Sequence, residues 1–378
     1  MVCGQACAQI TSDPHNCGGC GNICPASEYC VNGSCGQCPS TWAICGGLCV
    51  NPQTDDANCG GCGLACPSSC SAGECVAHLY TPPGSWDQGY SGGTLAVDSQ
   101  NAYWVNDGNE ENGYPGAVMQ MPLAGGTALT VLSGFYPSGI ALANGRIYFG
   151  TWDYQSAFFE TVPIGGGAVT TLASGLTYPS RLTIDAQGQN AYWEAYDQGP
   201  ILKQSLTGGG PQTLAPTPDP AGLAINATTA FWTDLMTAGG GVFAVSLNGG
   251  SVATLASGLG TGRNGPWAIT ADASNVYWAA GGFNDQYIVK QSVNGGGLAT
   301  LISGQASIQK ILLDGNDLYW IPASVASSYF VGRIPIAGGT PVTLATLSQG
   351  DPLNDFVVDS QSIYVLTNDD YIYRLTPK

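Results

Sequence analysis

Hydrophobic and polar residues alternate in short runs through most of this chain, and residues 266–304 show the repeating unit. An apolar triplet ends at Asp272, a short turn leads to Val276-Tyr277-Trp278, a second alternating run ends at Val293, and a glycine turn opens a third. Each run has the length and period of a β-strand, and no helical period interrupts them. Four short strands joined by glycine turns make one antiparallel sheet, which cannot bury both of its faces without neighbours.

The neighbours are counted from an aromatic pair. It recurs as Tyr103-Trp104, Tyr148-Phe149, Tyr192-Trp193, Phe231-Trp232, Tyr277-Trp278 and Tyr319-Trp320, and ends as Tyr364-Val365. Seven units about 40–45 residues apart, with four strands each, have the period of propeller blades. The inner strands open at Leu95, Ile140, Leu182, Leu223, Ile269, Ile311 and Phe356, and a terminal polar residue such as Asp98 or Asp272 starts the turn to the aromatic strand. The expected fold is therefore all-β: a seven-bladed β-propeller of four-stranded antiparallel blades over residues 76–378. Its last unit stops after a third strand, and residues 76–80 are expected to pair with 371–375 and close the ring.

Residues 1–75 read differently. All 15 cysteines lie here: Cys3, Cys7, Cys17, Cys20, Cys24, Cys30 and Cys35 are matched in order by Cys45, Cys49, Cys59, Cys62, Cys66, Cys70 and Cys75, with Cys38 left over. Two tandem modules, 1–37 and 38–75, are expected, with Cys38 either opening the second or closing the first. A cysteine-dense segment with too few apolar residues for a core is a disulfide scaffold suited to an oxidising compartment, so all these cysteines are assigned to disulfides, the pairing left open. The C-x-x-C spacing also fits zinc, but so many thiols would be left over that disulfides are the better reading. Each module carries the same core, Asn16-Cys17-Gly18-Gly19-Cys20-Gly21 and Asn58-Cys59-Gly60-Gly61-Cys62-Gly63.

That pattern resembles the cysteine-rich repeat of the stigma-specific protein family. The aromatic pairs, with Phe231-Trp232-Thr233-Asp234 the nearest match, resemble the YWTD propeller repeat of LDL-receptor-type proteins. The second resemblance implies extracellular protein recognition without catalysis. It departs from that family in having seven units where six are usual, and in keeping the Asp after the aromatic pair only at Asp234.

Charge and rare residues narrow the chemistry. The chain of 378 residues carries a net charge of −17, from 9 basic and 26 acidic residues, which opposes nucleic acid and anionic lipid. No apolar run is long enough to span a membrane. The two histidines, His15 and His78, lie outside the propeller body, which removes Ser-His-Asp and Cys-His catalysis and leaves carboxylates and tyrosines as acid–base groups. No cofactor is expected, although Asp107, Asn109 and Glu111 offer alternating oxygens that a calcium ion could use.

The basic residues sort by position. Lys203, Lys290, Arg333 and Arg374 share one slot of the third strand and belong to blade architecture, whereas Arg181, Arg263 and Lys310 lie in connections leading into inner strands. Those connections also vary most in length, which is where recognition sits on a rigid scaffold. Arg181, Trp267, Lys310, Arg263, Trp152, Tyr136 and Tyr178 are the expected ligand-binding set, offering cations and aromatic faces to an anionic group or a sugar ring. The function expected is that of a secreted or cell-surface binding protein with an extracellular protein or glycan as partner. The alternatives are a polysaccharide-degrading enzyme using carboxylates or tyrosines, and a self-assembling subunit of an extracellular fibre or coat.

Overall fold

The computed structural model describes the chain except residues 1, 4–5, 8, 26–27, 64, 67–69, 72, 82–92, 110–113, 153–155, 196–198, 283–284, 306, 324–328, 348–351 and 377. It divides into two compact units, Met1–His78 with Gln361–Ile363 and Tyr373–Lys378, and Leu79–Ser360 with Tyr364–Ile372.

In the first unit, seven disulfides join Cys3–Cys20, Cys17–Cys30, Cys24–Cys35, Cys38–Cys49, Cys45–Cys62, Cys59–Cys70 and Cys66–Cys75. The first three recur in the second module as the last three, so the two modules share one topology. The Cys38–Cys49 bond places Cys38 in the second module. The side chain of Cys7, also expected in a bridge, lies outside the described residues. The repeated Asn explains the shared core motif: Asn16 Oδ1 accepts the Gly21 N–H at 2.9 Å, and Asn58 Oδ1 accepts the Gly63 N–H at 2.9 Å, closing the same loop over the half-cystines. Gly18 sits at φ 72° with its missing Cβ 2.5 Å from the Gly33 carbonyl, so only glycine fits there. Glu74–Tyr80 lies between Cys70–Ser71 and Ile372–Thr376 in the sheet order.

The second unit is a propeller-like arrangement of small antiparallel sheets. Four are separate and four-stranded, spanning residues 179–215, 220–257, 269–305 and 308–347. Seven separate four-stranded sheets are not what forms, because Leu129–Ala143 runs without a break. Its residues up to Phe135 pair with Tyr114–Pro122, and those from Tyr136 onward pair with Arg146–Trp152, fusing seven strands into one sheet. No connecting loop separates the first two repeats, so nothing divides them into two sheets.

The aromatic pair forms the core. Side chains alternate faces along a strand, and the first ring of one repeat clusters with the second ring of the next: Tyr103 with Phe149, Tyr148 with Trp193, Tyr192 with Trp232, Phe231 with Trp278, and Tyr277 with Trp320. Tyr364, the first ring of the last repeat, clusters with Trp104 of the first. The Asp that ends an inner strand ties the turn to this core. Asp272 accepts the Ser274 and Asn275 N–H groups at 2.6 and 2.7 Å and the Tyr277 hydroxyl at 2.8 Å. Asp98 does the same with Gln100, Asn101 and Tyr103. Burial works to raise both carboxyls, but these donors outweigh it and hold them below the usual range.

Two members of the shared cation slot, Lys203 and Lys290, serve blade architecture. Lys203 Nζ donates to the Leu247 carbonyl at 2.8 Å and Lys290 Nζ to the Ile336 carbonyl at 3.2 Å, each reaching the next repeat.

Candidate binding cavity

One repeated position, expected just ahead of each inner strand and found within the strand in five of the repeats, decides the chemistry of one end of the second unit. Its residues are Thr94, Gly139, Arg181, Gly222, Ala268, Lys310 and Asp355, and all seven line a single cavity of about 760 Å³. Four of the inner strands carry an irregularity in register at this point, at Ser138/Ile140, Ser180/Thr183, Pro220/Gly222 and Ile308/Lys310. Such bulges turn a side chain out of the ladder. Gly139 takes φ 56° in its bulge, and Arg181 takes φ 49° in the same slot one repeat later. A non-glycine residue there costs roughly 1–3 kcal/mol and persists only when its surroundings hold it.

What holds Arg181 is Glu194. Arg181 Nε lies 2.6 Å from Glu194 Oε1, which also accepts the Ser180 hydroxyl at 3.3 Å. Glu194 is 2% exposed, and its Oε2 has no hydrogen-bond partner among the described residues. Burial pushes this carboxyl up, against the opposing pull of the Arg181 charge and the Ser180 hydroxyl. Lys310 Nζ is likewise engaged, forming an ion pair with Asp355 Oδ1. Asp355 is buried, and its Oδ2 accepts the Leu95 N–H at 2.8 Å. Gln309 and Asn354 extend this seam: Gln309 Nε2 donates to the Asn354 carbonyl at 2.7 Å, and Asn354 Nδ2 to the Gly93 carbonyl at 2.8 Å.

The expected site residues are therefore partly gathered and partly reassigned. Arg181, Lys310, Trp267 and Tyr178 line the cavity. Tyr136 and Trp152 are not among its lining residues, but they form an aromatic chain toward it, with centroids 6.3 Å apart and Trp152 6.4 Å from Tyr178. Arg181 and Lys310 were expected as cations that an anionic group or a sugar ring could meet; each is partly exposed and pairs with a buried carboxylate, whose charge would otherwise stand desolvated and uncompensated. Trp267 is fixed by its indole N–H, which donates to the Gly262 carbonyl at 3.1 Å. The side chains of Arg263, Asp107 and Asn109, and all of Glu111, lie outside the described residues, so the calcium expectation has no geometry here.

Sequence reasoning missed Glu194 and Asp355. Both had a signal. Glu194 follows its aromatic pair where other repeats carry Val105, Ala279 or Ile321, and Asp355 occupies the same pre-strand slot as Arg181 and Lys310.

No protein-family model matches the chain, and no curated protein matches its sequence. Among solved structures, it is similar to selenomethionine-substituted virginiamycin B lyase from Staphylococcus aureus at 13% identity and TM-score 0.61, over 81% of this chain and 99% of that one. The computationally designed protein Ika8 matches at 10% identity and TM-score 0.52, over 77% of this chain and 98% of that one. A nidogen–laminin complex chain matches at 19% identity and TM-score 0.45, over 56% of this chain and 82% of that one.

These likenesses concern the fold. The first two agree with the propeller-like arrangement and leave chemistry to the residues on the cavity wall. Seven disulfides in the N-terminal region mark a protein of an oxidising compartment. No helix among the described residues is long and apolar enough to cross a membrane.

Proposed function

We propose that this chain is a secreted or cell-surface recognition protein whose second unit is a ring of seven blades and whose partner, an extracellular protein or glycan, docks at the cavity lined by the residues of that repeated position. The blade count rests on seven buried aromatic strands and on the clustering of Tyr364 with Trp104. In that reading the fused sheet is two blades meeting at Phe135 and Tyr136, and the last blade takes Glu74–Tyr80 as its fourth strand. The propeller then belongs with YWTD-like repeats, and Asp234, which accepts the Met236 and Thr237 N–H groups, keeps the turn of that motif.

One observation carries the binding reading: the cavity wall holds two buried polar atoms without partners among the described residues, Thr94 Oγ1 and Glu194 Oε2. An acceptor and a hydroxyl left this way cost free energy unless a ligand or water completes them. Trp267 and Tyr178, which line the same cavity, supply flat apolar surface of the kind that stacks on sugar rings or caps an interface. Neutralised cations make hydroxyl-rich or amide-bearing partners a better fit than anionic ones.

A second reading, a polysaccharide-degrading enzyme, draws on the same Glu194, since a buried carboxyl held above its usual range is suited to general-acid work. It ranks behind binding because Glu194 and Asp355 are each locked to a cation, an arrangement that serves structure. The deciding experiment passes the full chain over a glycan array and a panel of secreted proteins, with Trp267→Ala as control. Capture of one class, lost in the variant, supports recognition. Glycan cleavage abolished by Glu194→Gln would replace recognition with the enzyme.

A further inference from the structure

A second cavity, also about 760 Å³, shares no lining residue with the first. Its apolar wall is built by Leu79, Tyr80, Trp104 and Met119, with the Tyr80 and Trp104 rings 4.9 Å apart. Among the described residues one carboxyl lines it. Asp370 is 3% exposed, its Oδ2 accepts a hydrogen bond from Asn106 Nδ2, and its Oδ1 is buried with no partner among the described residues. The backbone presents this side chain at φ 62°, where the Asp370 N–H is tied to the Thr367 carbonyl at 3.1 Å. A buried acidic oxygen in a left-handed turn, on a residue that lines an apolar cavity, is unfavourable on two counts and is retained where something completes it.

We propose that this cavity binds a small organic cation, an ammonium group carrying an aromatic or aliphatic body, with its N–H donors on Asp370 Oδ1 and its body against Tyr80, Trp104 and Met119. No Lys, Arg or His lines the cavity among the described residues, so nothing there competes for the carboxylate or favours an anion. The paired aromatic rings add attraction for the cationic head. The chain's net charge of −17 raises the local concentration of cations and repels anions of the same shape. A neutral alcohol would satisfy Oδ1 as a donor but would forgo the charge-assisted bond.

Titration calorimetry on the full chain at about pH 8, where the carboxylate form prevails, tests this with phenethylammonium, phenethyl alcohol and phenylacetate as probes of one shape and three charges. Saturable one-site binding of phenethylammonium is expected, with the alcohol weaker by about ten- to a hundredfold. Asp370→Asn, an isostere that tolerates positive φ, should show the same loss for the ammonium. Thr130→Trp, which fills the cavity from its exposed side and leaves Asp370 in place, should abolish binding, and it carries the test if Asp370→Asn does not fold. Absence of phenethylammonium binding, binding unchanged in both variants, or tightest binding of phenylacetate would each overturn the proposal.

Discussion

Replacing Asp370 with Asn should stabilise the protein, and by an amount that grows with pH. Burial pushes this carboxyl up to about 7, with the Asn106 hydrogen bond pulling the other way and the nearby Asp369 charge adding a small rise. An unfolded chain releases the same proton near pH 4. Between about pH 4 and pH 7 the folded state therefore holds a proton that the unfolded state has lost, so stability falls as pH rises through that window and levels off above it. A step of one in pKa corresponds to about 1.36 kcal/mol, which places the ceiling of this loss at about 4 kcal/mol. Asn cannot ionise, keeps an oxygen for Asn106 Nδ2 to donate to, and is the residue best suited after glycine to φ 62°. Urea unfolding of both proteins at about pH 4 and about pH 8, followed by tryptophan fluorescence, isolates the effect, since every other titrating group cancels in the difference. The variant should gain little at the lower pH and up to about 4 kcal/mol at the higher. An equal difference at both pH values would refute the reasoning, because it would mean that Asp370 ionises in the folded protein as freely as in the unfolded one.

Other perturbations separate the remaining parts of the argument. Arg181→Met should cost about 3 kcal/mol by stranding Glu194, and Arg181→Met with Glu194→Gln should cost less than the sum of the single changes; additive losses in thermal denaturation would show that the pair is not coupled. Gly222→Ala places a Cβ 2.4 Å from the Trp267 carbonyl and should destabilise by about 1–3 kcal/mol while displacing Trp267 from the first cavity; an unchanged melting temperature would mean that this wall is pliable. Reductant should open residues 3–75 to protease, since each bridge there contributes about 2–4 kcal/mol, while near-ultraviolet dichroism from the cysteine-free repeats persists. Its collapse would show that the repeats depend on the bridges.

The period of the apolar runs and the spacing of the aromatic pairs were enough to determine an all-β, propeller-like repeat, because a strand's alternation and a blade's two-faced core are local properties written in consecutive residues. The matched cysteines likewise determined two modules and a disulfide scaffold. Position alone also picked out Arg181, Lys310, Trp267 and Tyr178, since a repeat converts chain position into place around the fold. Pairing was not legible. Which cysteine meets which, how the uninterrupted stretch from Leu129 to Ala143 fuses two repeats, and that Glu194 and Asp355 pair with the cations all depend on cross-strand and cross-turn approaches that no local pattern of residues specifies. The carboxyl of Asp370 makes the same point: its sequence neighbours, Asp369 and Tyr371, announce an ordinary solvated turn. Only tertiary packing against Asn106, more than half the chain away, takes it out of water and gives it an unmet oxygen.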